Sequence, residues 1–248
     1  MNSKARAIVT FCASVACFAS VSAADVVTVD YSIDSGGING NDLNGMSASA
    51  VFETIGNTLN VTLINTSTGV PIGAQAADSL LVSVGFNLPD TVSIVSGDSA
   101  VIGAGSTGIG AWSGLGAGDS VAEEWLWTNE GGGDIMAALD QIISTSSGQG
   151  GGTLTDFNGN SASVNGPFGG IAASPPHVNI PGGQPAVSDS IEFSLTLSDT
   201  ISLDELEAMV AGSMVEFGSN FQYLTVPGPG GLAMLAVFAA GGRRRRRC

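Results

Sequence analysis

The central part of this 248-residue sequence contains no lysine and no arginine. The seven basic residues lie at the chain ends, with Lys4 and Arg6 near the N-terminus and five arginines at 243–247. All 22 acidic residues lie between Asp25 and Glu216, so the body of the chain carries a formal charge of −22. Because Lys and Arg supply the affinity for phosphate backbones, this composition excludes nucleic-acid binding. It also excludes Lys and Arg salt bridges within the body.

Cysteine is also missing from the body, since Cys12, Cys17 and Cys248 all lie near the ends. The body therefore has no disulfide, no thiol nucleophile and no zinc–thiolate site. Hydrophobic residues make up 44 % of the sequence, and a domain of this length can fold on such a core without disulfides. Gly reaches 36 residues, about twice the usual share, which indicates many turns.

The single histidine, His177, is the only candidate for a catalytic base of a Ser–His–acid triad. No G-x-S-x-G motif accompanies it, and prolines on both sides favour an extended, solvated loop over a catalytic position. No other set of residues supplies a nucleophile, a base and an orienting group together. We therefore predict that the protein is not an enzyme and rank a secreted hydrolase as the last alternative.

The first 23 residues have the layout of a secretory signal peptide. Two basic residues precede an apolar run over 7–21 that ends in the small-x-small triplet Val21-Ser22-Ala23. We place the cleavage site between Ala23 and Ala24. The run of about 15 residues is shorter than the ~20 that a membrane-spanning helix needs. A lipoprotein signal that ends at Cys17 is the alternative to this cleaved signal peptide. The body is exported in either case.

The segment 226–248 combines three features in a fixed order. It begins with Val226, Pro227, Gly228, Pro229 and Gly230, continues through an apolar stretch over 232–240, and ends in Arg243, Arg244, Arg245, Arg246 and Arg247. Counted with its flanking glycines, the stretch covers the 12 residues 231–242 and predicts a short C-terminal transmembrane helix, about 18 Å long against a ~30 Å hydrocarbon core. The arginines form a stop-transfer block that stays cytoplasmic, so the body faces outward. A buried core helix or a nucleic-acid arm would explain the terminal arginines less well.

This order of a Pro-x-Pro element, a short apolar helix and an arginine cluster resembles the PEP-CTERM sorting signal of bacterial surface proteins. The match is of the Val-Pro-x-Pro-Gly type, with Gly228 in place of the acidic residue between the prolines. The resemblance implies that an exosortase-type membrane protease recognises residues 226–230 and processes the tail. It also implies a cell-surface or extracellular location with transient anchoring in the membrane. A weaker resemblance to ectodomains that carry this tail extends through residues 62–67, 79–86 and 217–223.

The body, residues 24–225, has the periodicity of a β protein. Apolar and polar residues alternate in several segments bounded by Gly, Asn, Asp and Pro, which is typical of half-buried antiparallel strands. The predicted strands cover 27–33, 47–55, 59–63, 80–88, 91–95, 191–197, 214–217 and 221–226. Helices are predicted over 134–144 and after Ser202, which forms a capping box with Glu205. We predict an all-β, antiparallel β-sandwich of jelly-roll kind with one or two short helices.

A glycine-rich motif at Gly103, Gly105 and Gly108 matches the G-x-G-x-x-G fingerprint of dinucleotide-binding folds. That fingerprint requires a following helix whose N-terminus holds the pyrophosphate. The following residues are too rich in glycine to form one, so we interpret the segment as a glycine-rich loop.

Asp156, Asn158 and Asn160 have the D-x-N-x-N spacing with which a calcium loop begins. The sixth position is Ser161 rather than Gly and the twelfth is Pro167 rather than Glu, so an EF-hand is rejected. Two interpretations stay open: a non-EF-hand Ca²⁺ site formed by these three residues, or a turn built from Asn, Asp and Gly. No cofactor is predicted apart from this Ca²⁺ alternative.

A cluster of aromatic and acidic residues lies between 123 and 130. Glu123, Glu124 and Glu130 flank Trp125 and Trp127, an arrangement that could form a platform for an extracellular polysaccharide. The alternative is that the tryptophans are core anchors beside solvated acids. Our first hypothesis is therefore a structural or adhesive surface or biofilm-matrix protein. The second is a calcium-assisted carbohydrate-binding β-sandwich module.

Overall fold

The structure is a computed structural model. It describes residues 24–32, 37–38, 45–69, 76–130, 139–145, 154–162, 164, 166–176, 180, 183–218 and 222–226. The predicted signal peptide, the sorting segment from Pro227 onward and His177 lie outside the described residues. No helix among the described residues is both long enough and apolar enough to cross a bilayer.

The described chain is mostly strand, with one α-helix. The helix α1 spans Leu203–Ala211, and two short 3₁₀ turns cover Ala76–Ser79 and Gly110–Trp112. The strands are β1 Asp25–Ser32, β2 Gly37–Ile38, β3 Ser47–Ile55, β4 Thr58–Asn65, β5 Leu81–Phe86, β6 Ile94–Ile102, β7 Thr107–Ile109, β8 Leu126–Thr128, β9 Gln141–Ser144, β10 Thr155–Asp156, β11 Ile171–Ala172, β12 Ala186–Ser188, β13 Ser190–Leu197, β14 Met214–Phe217 and β15 Gln222–Thr225.

The first sheet has five strands in the order β1-β3-β4-β13-β6, and every neighbouring pair is antiparallel. Burial alternates along β4 and along most of β13, so one face of this sheet lies on the core. The turn between β3 and β4 contains Gly56, whose φ of 62° places it in the left-handed region that favours glycine. The alternating burial of β4 and β13 confirms the alternation predicted over 59–63 and 191–197.

The second sheet is larger and mixed. Its main path runs β10-β8-β9-β5-β11-β12-β7, and β14 joins it through β5 and continues to β15 and β2. Its pairs are antiparallel except for β11 and β12, which run parallel. The sheets curl in the manner of a half-barrel. The expectation of a β-rich fold is thus confirmed at this level.

One hydrophobic core joins the two sheets. Phe52 of the first sheet meets Phe86 of the second edge to face, with ring centroids 5.6 Å apart. The ring of Phe193 packs against those of Trp125 and Phe157, with centroids 4.9 and 5.4 Å apart. Because these aromatic side chains come from strands and loops distant in sequence, they fix the second sheet and its loops against the first.

Two of the predicted segments need correction. The helix predicted over 134–144 is wrong at its C-terminal part, where Gln141–Ser144 forms strand β9 between β5 and β8. All four residues of β9 are buried, so the strand shows no alternation. The strand predicted over 91–95 begins only at Ile94 and continues to Ile102. The capping box is confirmed, since Ser202 Oγ accepts from the Glu205 N–H and the Glu205 carboxylate accepts from the Ser202 N–H.

Candidate ligand cleft

A cleft of about 390 Å³ lies where the loop after β7, the loop before β8 and the turn after β10 come together. It is lined by one indole, two carboxylates, an amide and a hydroxyl, together with two small apolar residues: Trp112, Glu123, Glu124, Asn158, Ser120, Val121 and Ala122. Small-ligand sites usually combine an apolar or aromatic surface with a few polar groups, and this cleft has one aromatic ring and a larger share of polar groups.

Trp112 reaches the cleft from the end of the 3₁₀ turn Gly110–Trp112. The turn is closed by hydrogen bonds from the Ser113 N–H to the Gly110 carbonyl and from the Leu115 N–H to the Trp112 carbonyl, at 3.1 and 2.8 Å. The indole is half-buried and packs against the main core. The Trp112 backbone also lies directly over Gly108, where no Cβ would fit. The tryptophan is therefore held in place while part of its ring stays accessible.

The two acidic residues of the cleft sit on a turn anchored to the first sheet. The Val121 N–H donates to the Ala100 carbonyl of β6 at 2.9 Å, and the Glu124 N–H donates back to the Val121 carbonyl at 3.1 Å. Val121 is buried, whereas Glu123 is exposed and Glu124 is partly buried. The turn thus presents two consecutive carboxylates at the surface beside the indole.

Gly169 brings the indole and Glu124 close together. A Cβ at this position would lie 3.5 Å from Trp112 Cη2 and 3.4 Å from Glu124 Cβ. The φ of +90° at Gly169 is a conformation that other residues rarely adopt. Its carbonyl accepts the Trp125 indole N–H at 3.2 Å. This glycine is therefore the point at which the wall of the cleft meets the core.

Asn158 enters the cleft from a turn organised by Asp156. Asp156 Oδ1 accepts the N–H groups of Asn158 and Asn160 at 2.9 and 2.7 Å, and Oδ2 accepts Asn160 Nδ2 at 3.2 Å. The neighbouring Phe157 N–H donates to the Ala122 carbonyl at 3.2 Å, which ties this turn to the acidic one. Asp156 is buried while Asn158 is exposed, so the turn presents the Asn158 side chain to solvent.

The charged side chains that line the cleft are both acidic. Partial burial raises the pKa of Glu124 above its ordinary value, and the negative charge of Glu123 raises it further. No Lys or Arg exists between residues 7 and 242 to offset these charges. The cleft therefore favours cationic or neutral groups over anions.

The structure separates the aromatic and acidic residues that the sequence grouped together. Trp125 is 0 % exposed and forms part of the core, which confirms the alternative of a core anchor for this residue. Trp127 is half-buried and packs across Gly97 of β6. Glu130 is exposed and does not line the cleft. Sequence reasoning missed Trp112, because its glycine-rich surroundings carry no periodicity.

The glycine-rich motif and the predicted calcium ligands have different outcomes. Gly103 and Gly105 lie in the turn between β6 and β7, as the loop interpretation predicts, but Gly108 lies in strand β7. A 3₁₀ turn follows, so this segment lacks the helix that a dinucleotide site requires. Among the described residues, no group of three His, Cys, Asp or Glu side chains is arranged to hold a metal ion. Of the three predicted calcium ligands, only Asn158 reaches the cleft. Ca²⁺ binding by Asp156, Asn158 and Asn160 stays a prediction.

Compared with known proteins, the chain matches no model of a protein family, no curated protein and no solved structure.

Proposed function

We propose that the protein is exported, sorted through its C-terminal signal by an exosortase-type membrane protease, and displayed at the cell surface or released into the extracellular matrix. The separation of charge along the chain carries this proposal. All basic residues precede residue 7 or follow residue 242, and all acids lie between them. In export, flanks rich in Lys and Arg stay on the cytoplasmic side, whereas a body that contains neither residue has nothing of that kind to retain it.

In this proposal, each part of the chain has one role. Cleavage between Ala23 and Ala24 releases the body from its signal. The prolines at 227 and 229 keep the recognition segment extended at the membrane surface, since proline disfavours helix there. The short transmembrane helix and the arginines 243–247 hold the tail in the bilayer until the protease acts. The body is a jelly-roll-like β-sandwich with a structural or adhesive role and no catalytic activity.

The proposal is tested by fractionating bacteria that express the full chain, a chain ending at Val226, and the variant Cys248→Ser. We expect the full chain and Cys248→Ser to be retained in membranes as precursors and to yield a processed form beginning at Ala24. The truncated chain should leave the membrane fraction, as followed by immunoblotting and by intact mass. Equal membrane retention of all three chains, or an intact N-terminus on cytosolic protein, would refute the proposal.

A second candidate function is carbohydrate binding, favoured by the cleft that holds Trp112, Glu124 and Asn158. An accessible indole beside carboxylate and amide groups offers a stacking surface and hydrogen-bond partners for sugar hydroxyls. Glycan-array binding that is weakened in Trp112→Phe, which keeps an aromatic ring on the core, would support this function. Replacement of Trp125 is not a suitable test, because that side chain is part of the core.

A further inference from the structure

We propose that the cleft selects amine-bearing sugars, such as oligomers of glucosamine, over neutral and anionic ones. This inference rests on the second candidate function, carbohydrate binding, and specifies the chemical class of its ligand. The groups that carry it are Trp112, Glu123, Glu124 and Asn158, which line one cavity of about 390 Å³.

The position of the carboxylates supports a cationic ligand. Glu123 and Glu124 are consecutive and line the same cavity, and partial burial together with the charge of Glu123 raises the pKa of Glu124. The body of the chain offers no Lys or Arg that could stand between them. An ammonium group in the cleft would supply the missing positive charge and would form charge-assisted hydrogen bonds with the carboxylates. Because Glu124 is partly buried, this attraction exceeds that of a fully exposed pair.

The indole and the amide support a sugar rather than a simple polyamine. Trp112 is fixed by its backbone hydrogen bonds and by its packing on the core, so its ring forms a preorganised apolar surface. The ring also borders Glu124 across Gly169, so one ligand can contact both. An amino sugar combines an apolar ring face, an ammonium group and hydroxyls, and Asn158 and Ser120 can bond the hydroxyls. Aromatic rings also attract cations placed over their faces.

The size of the cleft suits a short stretch of a polymer. Its volume lies near the small end of the roughly 300–1,000 Å³ that is usual for ligand sites. A site of this size would hold one or two sugar residues while the remaining chain extends into solvent. The same carboxylates would repel uronic acids and sulfated sugars, since like charges oppose each other in a partly buried site.

Calorimetric titration of the purified protein with three tetrasaccharides tests the inference: a glucosamine oligomer, its N-acetylated counterpart and a galacturonic acid oligomer. We expect the glucosamine oligomer to bind at least about tenfold more tightly than the N-acetylated one, which corresponds to one favourable charge interaction. The galacturonic acid oligomer should not bind. Trp112→Phe should weaken the binding of the glucosamine oligomer, and Trp112→Phe is preferred to Trp112→Ala because an aromatic ring preserves packing.

Two variants with the same change of charge separate this site from the general acidity of the body. Glu123→Gln should weaken the glucosamine oligomer by about tenfold, whereas Glu130→Gln, also exposed but outside the cleft, should leave its affinity unchanged. Equal weakening by both variants would show that overall charge drives binding and would overturn the site. Equal binding of the acetylated oligomer would overturn the selection for amines while leaving carbohydrate binding intact. Absence of binding to every sugar would overturn both.

Discussion

Asn65 provides a direct test of how the two sheets are joined. This residue ends β4 of the first sheet, and its side chain is 2 % exposed. Its Nδ2 donates to the Ser79 carbonyl at 3.1 Å and to the Ile171 carbonyl at 2.7 Å, and its Oδ1 accepts the Ser67 N–H at 3.1 Å. Ile171 belongs to the second sheet and Ser79 lies just before its strand β5. One amide therefore links a strand of one sheet to the backbone of the other.

We expect Asn65→Ala to destabilise the protein strongly. Three hydrogen bonds at about 0.5–1.5 kcal/mol each amount to about 1.5–4.5 kcal/mol. Because the Asn65 side chain is buried, we expect a loss near the middle of that range, about 3 kcal/mol. At a urea slope of about 2 kcal/mol/M, the unfolding midpoint should fall by about 1.5 M.

Asn60→Ala is the matched control on the same strand. Asn60 is half-buried and has one long hydrogen bond, from Nδ2 to Glu53 Oε2 at 3.4 Å. Its replacement should cost less than about 1 kcal/mol. Urea unfolding followed by tryptophan fluorescence compares the two variants, since Trp125 is fully buried and reports on the core. Equal losses for the two variants would refute the role assigned to Asn65.

Three further predictions concern the helix cap, a close packing contact and alkaline pH. Ser202→Ala should lower stability by about 1 kcal/mol and Ser202→Asp by less, because only the alanine removes the cap acceptor; thermal unfolding measures both. Gly97→Ala should lower the free energy of unfolding by about 1–3 kcal/mol, because its Cβ would lie 2.6 Å from the Trp127 indole nitrogen. In the control Gly114→Ala, the new Cβ meets no atom within 4 Å, so urea unfolding should show almost no change in stability. Burial raises the pKa of Tyr31. The stability that the neutral phenol contributes is therefore complete below the unfolded-state pKa of about 10 and is lost as the pH rises above that value. Between neutral and alkaline pH, Tyr31→Phe should thus lose less stability than the parent protein.

Sequence periodicity located most of the longer strands, and its signal is clearest in β4 and β13, which are buried mainly on one face. The prediction for 214–217 matches β14 and that for 47–55 matches β3, while the segments around 59–63 and 191–197 fall within β4 and β13. In a strand that is buried on one face only, every second side chain meets solvent, so the alternation is visible in the sequence. The capping box at Ser202 was predictable for a similar reason, because its signal is local.

The parts that sequence reasoning missed depend on contacts between distant segments. Strand β9 is buried throughout, and its spacing of apolar residues also fits a helix, so only its pairing with β5 and β8 decides its structure. Strands of two or three residues, such as β7 and β11, are too short for a periodic pattern. The cleft also depends on contacts between distant segments, because Trp112 and Glu124 come from different loops and both lie beside Gly169 of a third.

The acidic body also uses its carboxylates in a way that is consistent with loss of the chain ends. Asp98 accepts the hydroxyls of Ser96 and Thr196 at 2.8 and 2.7 Å, and Asp156 accepts backbone N–H groups of its own turn. Glu205 caps α1. These acids are satisfied by neutral donors, so these contacts need no basic partner, and removal of both cationic ends would break none of them. A domain built in this way would keep these contacts in both forms that we propose, the membrane-held precursor and the released product.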